Sequence, residues 1–166
     1  ILDKPLIAQE FLDRINVPVL WFDHHPLVQR RKVHYYNPRM HDAEDARPTT
    51  ALAYAVAQES LWIAVVGVVA DWQIPDFLPA FQKRYPGIVT KEKDPGKIMF
   101  ETPLGVLIKL FTFCLKGGMK DVRKNLEALE QIGHPDELLK RTSAAGKFLV
   151  ESTKGVMKEY NAMDKP

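Results

Sequence analysis

Val17-Pro18-Val19-Leu20-Trp21-Phe22-Asp23-His24-His25 runs from an unbroken apolar segment straight into an acid and two histidines. The apolar part is too short for a lone helix, and its β-branched and aromatic residues suit a strand. Adjacent histidines in extended chain face opposite sides of a sheet, and a core rarely wants both. Asp23-His24-His25 therefore reads as a chemical site at a strand end. Upstream, Ile1-Leu2-Asp3 reads as the end of a buried strand with Asp3 at its tip. A helix follows, opened by Pro5 and carried by Leu6, Ile7, Phe11, Leu12 and Ile15. Downstream, Val33-His34-Tyr35-Tyr36 is a further short strand, closed by the turn Asn37-Pro38-Arg39. Strand, helix, strand is the rhythm of an α/β protein with a parallel sheet, in which functional groups gather beyond the carboxyl ends of the strands.

Beyond this unit, Met40–Arg47 reads as a polar loop, and Pro48-Thr49-Thr50 opens a helix through Ala57, with Thr49 or Thr50 as its cap. Leu61–Trp72 is apolar on every side, so periodicity cannot separate helix from strand; its length favours a helix with Asp71 at the polar end. From Pro75 the expectation is almost wholly helical. It comprises Asp76–Arg84, a Lys/Asp/Pro/Gly-rich loop, Pro103–Leu115, a break at Gly117-Gly118, Asp121–Ile132, and Pro135 to about Tyr160. The expected organisation is an α/β half over residues 1–86 and a helical extension over residues 87–166.

With 166 residues, the chain can bury a real core without disulfide or structural metal. A formal net charge of +2 is too weak to select nucleic acid as a partner. Cys114, the only cysteine, lies in an apolar run and is expected to pack as a small hydrophobe in a reducing, cytoplasmic setting. The longest apolar run, Leu61–Ala70, is about half of the roughly 20 residues a membrane span needs, so no membrane role is expected. The opening Ile1-Leu2-Asp3, without an initiator methionine, reads as a piece of a longer protein.

Divalent metals that activate water against a phosphate want carboxylates and neutral imidazoles at fixed positions. Asp3, His24 and Asp71 have that chemistry, and each is expected at the end of a buried apolar element. Plainer readings accompany them: Asp3 before Lys4-Pro5 also suits a turn, and Asp71 also suits a solvated helix end. His34 and His134 read as structural, and His41 as part of a solvated loop with Asp42, Glu44 and Asp45. Trp62, Trp72 and Phe81 read as core or interface, and no aromatic–basic pattern specific to nucleic acid is visible.

Trp21-Phe22-Asp23-His24-His25 resembles the signature after which the DHH phosphoesterases are named. Ile1-Leu2-Asp3-Lys4-Pro5 is similar to that superfamily's preceding motif, and Val66-Gly67-Val68-Val69-Ala70-Asp71-Trp72 to its later one. Asn37-Pro38-Arg39 and Arg47-Pro48-Thr49-Thr50 extend the likeness toward RecJ-like and exopolyphosphatase-related members of archaeal type. The resemblance covers about residues 1–72. It implies a parallel-sheet DHH domain, truncated at its amino-terminal side, followed by a helical connector.

It further implies a two-metal site, usually manganese, with magnesium as the alternative ion. Asp3 would bridge both ions, and His24 and Asp71 would complete the second site. Asp23 would orient His24, His25 would contact the scissile phosphate, and Arg39 would add a phosphate contact. The family's first motif, an Asp-x-Asp, and its glycine-rich carboxyl-terminal motif are not found in these residues. The implied activity is hydrolysis of phosphodiester bonds, as in a RecJ-like single-strand nuclease or oligonucleotide phosphodiesterase. Polyphosphate, pyrophosphate or cyclic-dinucleotide hydrolysis are the enzymatic alternatives. A non-catalytic scaffold in a replication assembly is the alternative of another class. The partners implied are single-stranded nucleic acid, a second copy of the chain, or a replication protein.

Overall fold

The computed structural model describes residues 1–163. By backbone contacts the chain divides into two compact units, Ile1–Glu59 and Ser60–Pro166. The first carries a small parallel sheet and the second is helical, so the mixed α/β class expected from the sequence is observed. The change of character expected near Pro86 is a different kind of division, since helical structure already occupies much of residues 60–86.

In the first unit, β1 (Leu20–Phe22) pairs in parallel with β2 (His34–Tyr36), Leu20 opposite His34 and Phe22 opposite Tyr36. Ile1–Asp3 lies along the other edge of β1. Leu2 bridges Phe22 in parallel, the Phe22 N–H donates to Ile1 O at 3.0 Å, and the Asp3 N–H donates to Phe22 O at 2.9 Å. The Asp23 N–H, donating to Tyr36 O at 3.1 Å, carries the β1–β2 ladder one residue further. Since alternate residues share a face, Trp21 and Asp23 point inward together, both fully buried. Trp21 stacks on Tyr35 across the strands with ring centroids 4.1 Å apart. Its indole N–H donates to Lys4 O. Ile7, Leu12 and Val19 complete the cluster around Trp21, with Ile15, Val28 and Val33 packed against it.

α1 spans only Gln9–Arg14, shorter than the helix expected from Pro5. Ile7 lies outside the helix, buried in the core, and its carbonyl accepts from Arg30 Nε at 2.6 Å. The crossover from β1 to β2 contains no helix. It is fastened by a reciprocal pair: Gln9 Nε2 donates to Arg31 O, and the Arg31 N–H donates to Gln9 Oε1. A 3-10 turn, Pro38–Met40, opens the segment expected as loop, and α2 (Thr49–Ala57) follows. Thr49 is the first helical residue, buried, and no side chain caps α2.

In the second unit, α3 (Leu61–Ala70) is helical as its length suggested, with Leu61, Trp62, Ala64, Val65, Val66, Val68 and Val69 buried. It packs against α4 (Leu78–Arg84), α5 (Pro95–Glu101) and α6 (Pro103–Cys114). α5 arises where a loop was expected. Asp94 caps it by accepting the Lys97 N–H at 2.8 Å, and Pro95 occupies its first turn, where a missing N–H costs nothing. Close approach then needs a glycine in α6: a Cβ at Gly105 would stand 1.8 Å from Met99 O. α7 (Met119–Leu129) is tied to the end of α6 by the buried Asn125, whose amide donates to Cys114 O at 2.8 Å.

The single helix expected from Pro135 to about Tyr160 is in fact two, α8 (Asp136–Leu139) and α9 (Ala144–Met163). Arg141, in the left-handed region at φ 55°, turns the chain between them. Gly146 lets α9 sit against the backbone of Glu137, where a Cβ would meet the carbonyl oxygen at 2.1 Å. No helix among the described residues is long and apolar enough to cross a membrane.

Candidate metal centre

Three side chains at the carboxyl ends of the parallel segments converge: Asp3, His24 and His25 each offer a ligand atom, all within 4.8 Å of one another. Asp3 reaches the cluster because Ile1–Asp3 is hydrogen-bonded beside β1. Its backbone then takes φ 54°, a left-handed conformation that Asp tolerates better than most residues. Its carboxylate stays largely exposed, and Oδ1 lies 3.5 Å from Nε2 of the mostly buried His24. The other ring nitrogen of His24, Nδ1, lies 3.3 Å from Ala46 O.

His25 is held differently. Its Nδ1 is 2.7 Å from Asp23 Oδ1, and its main-chain N–H donates to Asp23 Oδ2 at 3.2 Å. The sequence led us to expect Asp23 behind His24; the fold commits its carboxylate to His25. The two imidazoles meet edge to face with centroids 4.6 Å apart.

Behind Asp23 lies a second polar layer that sequence reasoning treated only as strand and turn. The fully buried Asn37 donates through Nδ2 to His25 O at 2.9 Å and to the Tyr35 hydroxyl at 2.8 Å, and its Oδ1 accepts the Arg39 N–H. Burial raises the Tyr35 hydroxyl above its ordinary pKa, and the neighbouring Asp23 carboxylate pushes the same way. The one sequence signal for this layer was Asn37 before Pro38, a side chain suited to capping a turn.

Arg39, expected at the phosphate, sends Nε to His24 O at 2.9 Å and Nη1 to Ala43 O at 2.8 Å, so its guanidinium braces the backbone of the site. The loop beyond is shaped by Asp45, whose carboxyl is held below its usual range chiefly by hydrogen bonding from Arg47. Asp71 belongs to the second unit. It ends α3, its N–H directed at Gly67 O and Val68 O, each at 3.2 Å, and Trp72 follows at φ 60°. Trp62 and Phe81 are buried as expected, but Trp72 is 60% exposed and lies against Phe100. His34 and His41 are exposed.

An aspartate with two histidines is a donor set that can hold a first-row transition-metal ion, and it does not suit a purely oxygen-seeking calcium site. No protein-family model matches the chain, and no curated protein and no solved structure matches it.

Proposed function

We propose that the protein is a metal-dependent phosphoesterase of the DHH type that hydrolyses phosphodiester bonds in single-stranded nucleic acid or short oligonucleotides. The observation that carries this reading is the approach of Asp3 to His24 at 3.5 Å, which brings together two residues picked from separate motifs. Asp3 and His24 would hold a divalent ion, manganese before magnesium. When bound, such an ion supplies charge stabilisation at a phosphoryl oxygen and acidifies water.

The chain's own residues do the positioning. The ladder from Ile1 to Phe22 sets Asp3, Arg39 fixes the His24 carbonyl, and Asp23 with Asn37 fixes His25. A rigid scaffold of this kind matters because small misplacements of a reacting group are costly in rate.

The test is release of nucleotides from a single-stranded oligonucleotide by the full-length protein, with and without Mn2+, beside cyclic dinucleotide and polyphosphate as competing substrates. Mn2+-dependent release that is lost in His24→Ala, with the fold intact by circular dichroism, is the expected result. Equal activity in His24→Ala, or silence on all three substrates, would overturn the proposal.

A further inference from the structure

We infer that the crossover between β1 and β2 forms a nucleotide-binding groove, in which Arg31 and Arg30 take a phosphate of single-stranded nucleic acid and Leu27 and Met40 receive the attached base. This rests on the phosphoesterase reading above and deepens it, by naming what holds the substrate in the unit that carries Asp3, His24 and His25.

Charge is the first observation. Arg30, Arg31 and Lys32 are consecutive, and among the described residues none of the three enters an ion pair. Arg30 donates through Nε to Ile7 O at 2.6 Å and through Nη1 to Gln29 O at 2.7 Å, and Lys32 Nζ donates to Asp13 O at 3.2 Å. These acceptors are neutral carbonyls, so they fix the two cations without cancelling their charge. Arg31 is tied through its main chain to Gln9, while its exposed side chain makes no hydrogen bond among the described residues. A guanidinium in that state suits the oxygens of a phosphodiester. The small net charge of the whole chain conceals this local run, because the compensating acids lie elsewhere.

Shape is the second. A groove of about 730 Å3, within the range of small-ligand sites, opens beside these cations. Arg30 and Arg31 form its charged side, Leu27, Val33, Tyr35 and Met40 its apolar side, and no carboxylate lines it. Leu27 and Met40 are 51% and 55% exposed, which leaves apolar surface open next to positive charge. A nucleotide has the complementary pattern, anionic at its phosphate and apolar on the faces of its base. Methionine is flexible enough to meet any base, so little sequence preference is expected.

The third observation is how the segment is held. It contains no helix, yet the bonds of Gln9, Arg30 and Lys32 pin it, and Lys32 sits at φ 57°, a left-handed conformation that lysine rarely adopts. Such strain persists only where the surroundings enforce it, and it gathers at ligand-binding segments. Tyr35 links the groove to the candidate centre. It lines the cavity, and its hydroxyl accepts from Asn37 Nδ2, the same amide that donates to His25 O.

The experiment uses the full chain with divalent metal chelated, so that binding is read without turnover. A fluorescein-labelled oligothymidylate of about eight nucleotides, long enough to span one such groove, is titrated by anisotropy across a range of salt. Arg31→Ala should weaken binding about 3–10-fold and lower the salt slope by about 0.7, the loss of one phosphate contact on a single strand; Arg31→Lys should keep most of that slope. Met40→Ser should weaken the oligothymidylate more than an abasic strand of equal length. Unchanged affinity and slope in Arg31→Ala would overturn the inference, as would a polyglutamate peptide of equal charge that competes as well as the oligonucleotide. In either case Mn2+-dependent release of nucleotides by the unaltered protein would leave the phosphoesterase reading standing. Arg31-dependent binding without any such release would uphold the groove and sink the hydrolytic reading, and absence of both binding and release would sink both.

Discussion

Trp21 and Trp62 are both sealed from solvent, at 0% and 1% exposure, yet their surroundings differ. Around Trp21 in the first unit, few side chains are both apolar and buried: Ile7, Leu12 and Val19. Asp23 and Asn37, both fully buried, belong to the same unit. Trp62 stands in an apolar helix packed on three others, with Phe111 edge-on at 5.6 Å. A segment of about 60 residues is marginal even with an ordinary core. The first unit spends part of its interior on polar groups that aim histidines, whereas the second spends nearly all of it on packing. The candidate chemistry thus sits in the region with less stability to spare.

The largest test of that contrast is Trp21→Ala. Removing the ring costs about 3–5 kcal/mol, as much as a unit this small can hold. The first unit should lose its near-UV and amide dispersion while most of the far-UV helical signal, carried by the second, persists. Simultaneous loss of both would mean the two unfold as one. Next, Gly105→Ala places a methyl group against Met99 O and should destabilise the second unit by roughly 1–3 kcal/mol in chemical denaturation. A smaller effect of opposite sign is expected for Gly155→Ala, since a Cβ there meets nothing within 4 Å and the residue lies inside α9. A gain of about 0.5–1 kcal/mol follows from helix propensity.

Finer still are two pH effects, one in each unit. Glu137 accepts from the N–H groups of Gly133 and His134 and, first in weight, from Ser143, which together lower its carboxyl pKa. A depressed acid stabilises the fold above its unfolded value, near 4.5, and that contribution is lost as pH falls through the folded value. Glu137→Gln should flatten the acid limb of the second unit's melting temperature. Tyr35 is shifted upward, first by burial, so its contribution is complete below about pH 10 and lost as pH rises through the folded value. Tyr35→Phe should remove that alkaline limb from the first unit and leave the second unchanged.

Much of this architecture was legible in the chain. The short apolar run ending at Phe22, the strand at His34–Tyr36 and the helix at Leu61–Ala70 follow from residue type and run length, because a strand's alternation and a long apolar run are local properties. The helix at Pro95–Glu101 was missed because Asp-Pro-Gly looks like a breaker, although Asp94 before Pro95 is equally a cap and a first turn. The split of α8 from α9 was missed because Arg141 carries no sign that it adopts a left-handed conformation.

The site divides in the same way. Asp3 and the run Asp23-His24-His25 could be chosen from the sequence, since strand ends are marked by where apolar residues stop. That Asp3 lies beside His24 depends on Ile1–Asp3 pairing with β1, a contact between distant parts of the chain. Which histidine Asp23 serves was equally beyond local reading. Asp23 and His25 are two apart and lie on the same side of an extended chain, but only the burial of Asp23 with Trp21, Tyr35 and Asn37 turns its carboxylate onto His25. Residue chemistry and spacing named the candidate ligands; tertiary packing assigned their partners, because a hydrogen bond depends on where side chains end up in space and not on their order along the chain.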